Sequence, residues 1–365
     1  MGARLLVVLA LFLAACADTE DTFDTPPVDA VPTSGDGKLS GAAAGAVVRH
    51  SVPAIAVAHV SLDEATRSGV AGTRSHDDDT ALDLGSRFHL GSDTKAMTAL
   101  LVAQLVEAGW LAFDSVLAEV LPDMEIDPSL AAVTISDVLG HRTGLVDDLD
   151  LPALHEATDA VAARRQAVHD ALRAAGGEPG TFAYANVNYM VAGVIIEEIT
   201  GAPWDEVLRD RLFSPLGMTG CGLGAPAGRL DPLGHTAGGE PVAQDARVTD
   251  NPAAMGPAGT VHCPIEDWAA FARAVLDLLA GNDTVVLTAA TAADLFAADH
   301  DYVAGWVRLE QGGSVTYAHD GSNTLWYARA VLRPERRDAV LVATNSGQPG
   351  AVSAIEELSE FVLRT

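Results

Sequence analysis

Hydrophobic and polar positions form strand-like runs near both ends of the chain. Two runs near the N-terminus, AIAVAHVS at 54–61 and ATRSGVA at 65–71, are joined by a short turn and predict two strands. Near the C-terminus, the hairpin signals QGG and PERRD divide further runs. These runs predict strands at 302–309, 314–318, 325–332 and 339–344, followed by a closing helix at 352–363.

The middle of the chain follows a helical period instead. Residues 159–175 are rich in Ala and Arg without Gly or Pro, and 187–200 place apolar side chains on one face. Another apolar face begins after Ser92, where Asp93 in the first turn suits the helix dipole. Strands from both termini with helices between them predict an α/β (α+β) fold. We expect one antiparallel sheet with flanking helices, an inserted mostly helical subdomain and a cleft at the seam.

The first residues predict export. Arg4 precedes an apolar run at 5–14, which has signal-peptide length but is too short to span a bilayer. The sequence LAAC that follows resembles the lipobox of bacterial lipoproteins, and this resemblance implies cleavage after residue 15 and acylation of Cys16. An ordinary secretory signal with an incidental cysteine is the alternative. Both interpretations predict an envelope protein, in a periplasm-facing membrane or at the cell surface.

Two segments follow the predicted signal peptide at 1–15. Residues 16–37 are rich in Asp, Thr and Pro without an apolar period, which predicts a flexible tether. No internal repeat and no second linker interrupts the remainder, so 38–365 is expected to form a single domain.

Composition narrows the possible partners. Hydrophobic residues make up 48% of the 365 positions, which is enough for a substantial core. The formal net charge of −28 repels polyanions, so nucleic acid is not an expected partner. A membrane is expected to be contacted through the lipidated Cys16, and the oligomeric state stays open.

The two remaining cysteines, Cys221 and Cys263, form an even pair in an exported chain. Such a pair favours a disulfide, with free thiols as the alternative, because the sequence does not give their separation. His262 beside Cys263 lacks the paired spacing that a zinc site requires. Neither a metal nor a cofactor is therefore predicted.

Candidate chemistry begins in the stretch GSDTKAMTALL at 91–101. Lys95 is one of only two lysines in the chain and lies three residues after Ser92, so both side chains share one helix face. A helix start also offers free backbone N–H groups to an oxyanion. A buried lysine loses proton affinity and can then act as a base toward a serine hydroxyl. The alternative is a capping serine beside a solvated lysine.

Three motifs occur in order: SDTK at 92–95, YAN at 184–186 and HDG at 319–321. Their order and contexts resemble the serine β-lactamase and penicillin-binding protein superfamily, whose signatures are S-x-x-K, S-D-N or Y-x-N, and K-T-G. The YAN motif resembles class C β-lactamases and their D,D-carboxypeptidase, D-amino-acid peptidase and esterase relatives. HRTGL at 141–145 and the segment 251–271 are also similar to this group.

The resemblance implies a role for each motif residue. Ser92 would be the acylated nucleophile, Lys95 its proton acceptor, and Tyr184 an acid or base toward the leaving group and the deacylating water. Asn186 would orient Lys95 and the substrate. Backbone N–H groups of Ser92 and Ser322 would form the oxyanion hole.

The third motif departs from the family pattern, because His319 stands where class C enzymes have lysine; Gly321 retains its place. Histidine has an ordinary pKa of about 6.5 and is mostly neutral at pH 7 unless its surroundings hold its charge. We therefore expect weaker dependence on an anionic substrate group. The other histidines that the motifs leave over, His141, His235 and His262, are expected to be hydrogen-bonded structural residues.

These observations predict an exported, lipid-anchored serine hydrolase that cleaves an amide or ester of a small molecule or peptide through acyl-Ser92. Alternatives within the same chemistry are a D,D-carboxypeptidase, a D-amino-acid peptidase, a true β-lactamase and a carboxylesterase. A penicillin-binding scaffold without turnover is the alternative from another functional class.

Overall fold

A computed structural model describes residues 27–174, 176–244, 249–297 and 300–364. The predicted signal peptide, Cys16 and the first part of the predicted tether lie outside these described residues. None of the helices in the described ranges combines the length and the apolar character that a membrane crossing requires.

Twelve strands are present in the described ranges. In chain order they are β1 (Thr33–Gly35), β2 (Ala54–Ser61), β3 (Arg67–Ser75), β4 (Asp78–Ala81), β5 (Arg87–His89), β6 (Gly222–Leu223), β7 (Val261–Pro264), β8 (Tyr302–Val303), β9 (Trp306–Gln311), β10 (Ser314–Ser322), β11 (Tyr327–Arg333) and β12 (Asp338–Thr344). The large sheet has the order β1-β3-β2-β12-β11-β10-β9-β8, with β4 on β3, and β5-β7-β6 form a small second sheet.

Antiparallel pairing of β2 with β12 joins the two ends of the chain in one sheet. Val57 lies opposite Val342 in this register, and β3 and β11 extend the sheet on either side. The predicted antiparallel sheet built from both termini is therefore the observed arrangement.

The helices cover the sheet and build the inserted region. In chain order they are α1 (Gly37–His50), α2 (Thr94–Glu107), α3 (Leu117–Val120), α4 (Ile135–Leu139), α5 (Leu151–Glu156), α6 (Ala160–Arg173), α7 (Asn186–Thr200), α8 (Trp204–Leu208), α9 (Ser214–Leu216), α10 (Gly256–Gly259), α11 (Ile265–Leu279), α12 (Ala289–Leu295) and α13 (Pro349–Leu363). A π-helical segment, Arg209–Phe213, links α8 to α9.

Both faces of the central strands are buried, and the two-residue period sorts their side chains. Ala56 and Ala58 point into the larger core, which also contains apolar residues of α2, α7 and α11. Ile55 and Val57 point to the other side, against apolar residues of α1 and α13. Because helices cover both faces, β12 has six buried residues in succession instead of an alternating pattern.

The predicted tether is too long at its C-terminal end. Residues 33–35 pair with β3, and Asp36 caps α1 by accepting hydrogen bonds from the backbone N–H groups of Lys38 and Leu39. Composition alone suggested a linker here, because three strand residues carry too little apolar pattern to be recognised. The ordered domain thus begins before residue 38.

Two C-terminal strand boundaries also differ from the prediction. The run 302–309 is divided into β8 and β9, because Ala304 and Gly305 adopt positive φ angles of 52° and 86° and form a tight turn. Strand β10 continues beyond residue 318 to Ser322, so the whole HDG motif lies on a strand.

Candidate active site

Ser92 lies in a 3₁₀ turn, Gly91–Asp93, between β5 and α2. The end of β10 packs closely on this turn. A Cβ atom at residue 91 would lie 2.3 Å from the backbone nitrogen of Ser322, and one at residue 321 would lie 1.9 Å from the carbonyl oxygen of Leu90. Glycine at both positions therefore allows the Ser322 backbone amide to lie beside the turn that carries Ser92.

Lys95 is fully buried one helical turn after Ser92. Its Nζ lies 3.0 Å from Ser92 Oγ, 2.8 Å from Asn186 Oδ1 and 2.7 Å from the carbonyl oxygen of Ala258. Helix α10 thus supplies a third partner that the motifs do not indicate. The lysine is held at a single position by three different segments of the chain.

Burial lowers the pKa of Lys95 to about 7, while the negative charge of Asp147 and a smaller contribution from Asp93 oppose this shift. A substantial fraction of the side chain is therefore a neutral amine at pH 7. A neutral amine has two N–H donors and one lone pair. Asn186 Oδ1 and the Ala258 carbonyl can only accept, so they take the two N–H groups. The lone pair is left facing Ser92 Oγ, the one partner of the three that can donate a proton.

Tyr184 lies just before α7, with its ring 4.9 Å from Lys95 Nζ and stacked on the ring of His141 at a centroid distance of 4.3 Å. Burial raises the pKa of the phenol, a hydrogen bond with Ser92 opposes this shift, and the charges of Asp147 and Asp93 add to it. Tyr184 is therefore a neutral phenol at pH 7 that contacts the nucleophile and can carry a proton.

His141 supports this geometry from a neighbouring loop. Its Nδ1 accepts a hydrogen bond from the backbone N–H of Ala185 and lies 3.1 Å from Asn188 Nδ2. Burial holds the pKa of His141 well below its usual value, so the ring is neutral. His235 Nδ1 and His262 Nδ1 likewise lie within hydrogen-bond distance of backbone carbonyl oxygens. All three histidines therefore have hydrogen-bond partners within the fold, and their purely structural role stays a prediction.

Asn186 is the first residue of α7. Its position is fixed by hydrogen bonds to Asp147, an acidic residue outside the three motifs. The Asp147 carboxylate accepts hydrogen bonds from the backbone N–H and the Nδ2 of Asn186, at 2.7 and 3.0 Å, and from the backbone N–H of Val187 at 2.9 Å. Its place six residues after the histidine of HRTGL was the one available signal, because the interaction joins segments 39 residues apart.

His319 and Asp320 lie on opposite faces of β10, so the aspartate cannot pair with the histidine. Asp320 binds Tyr327 and Arg329 on the face toward α13. His319 is buried with Nε2 3.0 Å from the hydroxyl of Tyr302. Burial, then the charge of Lys95, lower the pKa of His319 to about 3, although Asp320 opposes this. His319 is thus neutral at pH 7, as expected, and its neutral form is favoured more strongly than the ordinary histidine pKa indicates.

The hydroxyl of Ser322 belongs to the turn after β10. It donates to the carbonyl oxygen of Trp326 at 2.7 Å and accepts from the backbone N–H of Thr324 at 2.9 Å. The Ser322 hydroxyl is thus engaged within this turn, and the oxyanion-hole role of the Ser322 backbone N–H stays a prediction.

Asp93 does not have the role that its position in the first turn suggested. Its carboxyl group is buried, and neither oxygen has a hydrogen-bond partner among the described residues. Burial and the negative charge of Asp320 raise the pKa of Asp93 well above its usual value. Burial therefore disfavours the negative charge that its place at the start of α2 suggested.

Six of the predicted site residues meet in one place. Ser92, Lys95, Tyr184 and Asn186 are linked by direct contacts, and β10 brings the ring of His319 to 6.3 Å from that of Tyr184 and Gly321 next to the turn that carries Ser92. Cys221, just before β6, forms a disulfide with Cys263 on β7. Within the described ranges, no three His, Cys, Asp or Glu side chains are grouped so that they could bind a metal ion.

Comparison with known proteins identifies relatives over most of the chain. The family model described as Beta-lactamase matches residues 31–361. Penicillin-binding protein 4 of Amycolatopsis lactamdurans is 32% identical over 320 residues, which are 82% of each chain. The unguisins hydrolase of Aspergillus violaceofuscus is 26% identical over 81% of this chain and 58% of its own length.

Solved structures show the same fold. The octameric penicillin-binding protein homologue from Pyrococcus abyssi has a TM-score of 0.72 and 19% identity, over 89% of this chain and 77% of that chain. D-amino acid amidase from Ochrobactrum anthropi SV3, complexed with L-phenylalanine amide, has a TM-score of 0.72 and 21% identity, over 89% and 97%. The α/β fold class predicted from the sequence is confirmed.

Proposed function

Because this chain belongs to the β-lactamase family, which its match over residues 31–361 shows, we propose that it is a serine hydrolase cleaving an amide or ester through an acyl-enzyme at Ser92. The family resemblance deduced from the three motifs is confirmed by the same match. Activity, substrate and residue roles are the proposal.

The hydrogen-bond inventory of Lys95 is the observation that carries this proposal. Two of its partners are carbonyl oxygens and the third is the hydroxyl of Ser92, so the neutral amine directs its lone pair at the nucleophile. A pKa of about 7 makes this amine an effective base near neutral pH. Burying an ammonium group costs free energy, and a lysine with a purely structural role would have no reason to be placed where this cost arises.

The proposed reaction has two stages, acylation and deacylation, and each stage transfers one proton through Lys95 and Tyr184. Ser92 Oγ attacks the carbonyl carbon while its proton passes to Lys95 Nζ, and backbone N–H groups of Ser92 and Ser322 stabilise the oxyanion. The proton then passes from Lys95 through the Tyr184 hydroxyl to the leaving nitrogen or oxygen as its bond to carbon breaks. Water then attacks the acyl carbon, the bond from this carbon to Ser92 Oγ breaks as the proton of the water passes through the same pair to Oγ, and the carboxylic acid is released.

The site favours acyl donors without a carboxylate. His319 is neutral at physiological pH and cannot act as the fixed cation that a lysine would provide. The net charge of −28 adds a long-range repulsion of anionic donors. Relatives named as amidase and hydrolase agree with an amide or ester substrate. This favours esters and amides without a free carboxylate over β-lactams or peptides with a free C-terminus.

Export and anchoring remain part of the proposal. The apolar run at 5–14 and the lipobox-like LAAC support an envelope protein held through acylated Cys16. The alternative of a scaffold without turnover has no comparable support, because the nucleophile, its base and the phenol are all in contact.

A panel of acyl donors tests the proposed function. We expect p-nitrophenyl butyrate and D-phenylalanine p-nitroanilide to be hydrolysed with kcat/KM at least about tenfold above that for a fluorescent penicillin or a D-alanyl-D-alanine peptide. Release should fall to background in Ser92→Ala. His319→Lys should raise kcat/KM for the two carboxylate-bearing donors, because it supplies a fixed cation. Preference of the wild type for carboxylate-bearing donors, with no gain in His319→Lys, would overturn the substrate assignment.

A further inference from the structure

Asp147 lies outside the three motifs, on the loop between α4 and α5, and is exposed to solvent. Its carboxylate nevertheless accepts three hydrogen bonds, two from Asn186 and one from the backbone of Val187. A solvated carboxylate gains little from a single surface contact. Three convergent N–H donors therefore indicate a fixed position for this side chain.

Helix α7 depends on this carboxylate for its cap. Ala185 occupies the N-cap position and has no side chain that could accept a hydrogen bond. The first N–H groups of a helix have no partner within the helix, and a carboxylate also suits the positive end of the helix dipole. Asp147 caps α7 from a distant loop and thereby fixes where Asn186 begins the helix.

The same carboxylate determines which way the Asn186 amide faces. An ionised carboxylate can only accept, so Asn186 Nδ2 must face Asp147 and Oδ1 must face Lys95. An accepting Oδ1 takes one of the two N–H groups of neutral Lys95. If the amide were reversed, Nδ2 would compete for the lone pair that otherwise faces Ser92.

We propose that Asp147 is a positioning residue of this site: it holds the Asn186 amide so that the Lys95 lone pair is aimed at Ser92, and its charge sets the pH range of that base. The proposal rests on the proposed function, because it concerns the base of that reaction. Asp147 itself is not required to contact the substrate.

The charge of Asp147 acts on Lys95 together with other groups around the amine. The negative charge of Asp147 favours the ammonium form, and its removal should lower the pKa of Lys95. Five other titratable groups face Lys95. They are Asp93 from its own turn, His141 from the loop before α5, Tyr184 from the segment before α7, Tyr189 from α7 and His319 from β10. Burial lowers the pKa of both histidines and raises the pKa of Asp93, Tyr184 and Tyr189, so it disfavours the charged form of each group. Asp147 is exposed to solvent, and its charge makes the largest contribution that opposes the effect of burial on Lys95.

The test compares Asp147→Asn with Asp148→Asn over a range of pH. Asp148 lies next in the same exposed loop, and its carboxylate has no hydrogen bond or ion pair within the described part of the chain, so it is a matched control. In Asp147→Asn the new amide can donate as well as accept, and Asn186 loses its fixed orientation. We expect the plateau of kcat/KM for p-nitrophenyl butyrate to fall about 10- to 100-fold.

The pH profile separates this role from a merely structural one. Activity requires neutral Lys95, so kcat/KM falls as the pH drops through the Lys95 pKa, near 7 in the wild type. Loss of the Asp147 charge disfavours the ammonium form, and the midpoint of the acid limb should therefore move to lower pH by about 0.5 to 1 unit. Asp148→Asn should keep both the plateau and the midpoint close to those of the wild type.

Asp147→Glu retains the charge and should keep the acid midpoint even where the plateau falls. In a double-mutant cycle, the effect of Asp147→Asn should largely disappear in an Asn186→Ala background. An unchanged plateau, a midpoint shift equal to that of Asp148→Asn, or full additivity with Asn186→Ala would each overturn the proposal. If wild-type turnover is Ser92-dependent while these results occur, the proposed function stands and only the role of Asp147 fails.

Discussion

Replacing Lys95 with methionine is expected to lower kcat/KM for the preferred acyl donor by about 1,000-fold or more. A base and its nucleophile act together, so removal of either one lowers the rate by several orders of magnitude. Methionine keeps the aliphatic volume of the buried side chain but removes the lone pair that faces Ser92. Acylation of Ser92 should be slowed, and the loss should appear in kcat rather than in KM. Stopped-flow kinetics with a nitrophenyl ester measure both parameters.

The chain offers a matched control for this substitution. Lys38 is the only other lysine and lies exposed near the start of α1, so Lys38→Met removes the same charge far from the site chemistry. We expect wild-type activity from Lys38→Met and an unchanged far-ultraviolet circular dichroism spectrum from both variants. Comparable turnover in a folded Lys95→Met variant would exclude lysine as the base.

Replacing Tyr184 with phenylalanine is expected to slow acylation by an amide donor about 100- to 10,000-fold, the range typical of a general acid. The phenol is neutral at pH 7 and contacts Ser92, so its role is to pass a proton to the leaving group. An amine leaves only when protonated, whereas nitrophenolate leaves without a proton. Acylation by p-nitrophenyl butyrate should therefore fall much less than acylation by D-phenylalanine p-nitroanilide.

Single-turnover measurements with both donors isolate acylation from deacylation. Tyr317→Phe is the control, because Tyr317 lies on β10 away from the nucleophile and packs against Phe296. Equal losses of acylation rate with ester and anilide in Tyr184→Phe would show that the phenol does not act on the leaving group.

The elements that were predictable from the sequence are those with a strong local signal. The apolar runs at 54–61 and 339–344 match β2 and β12 closely, because side chains of a strand between two covered faces are apolar almost throughout. SDTK and YAN singled out Ser92, Lys95, Tyr184 and Asn186 because the proposed catalysis requires these residue types at fixed spacings. The structure brings these four together, as the motifs implied.

The features that were missed depend on long-range contacts or on burial. Asp147 acquires its role from a loop that meets the start of α7, and Tyr302 on β8 acquires its place from a hydroxyl contact with His319 on β10. Asp93 looked like a charged helix-start residue, yet burial raises its pKa and disfavours its charge. Local sequence patterns do not encode such environments, since the same aspartate would be ionised on an exposed helix.

Acid-quench peptide mass mapping tests the covalent mechanism most directly. Wild-type protein and Ser92→Ala are mixed with p-nitrophenyl butyrate, quenched within milliseconds to seconds, digested, and searched for the mass of a butyryl group. We expect the adduct on the peptide that contains Ser92 and none in the variant. Ester hydrolysis that persists in Ser92→Ala, or an adduct that maps to another residue, would contradict an acyl-enzyme at Ser92.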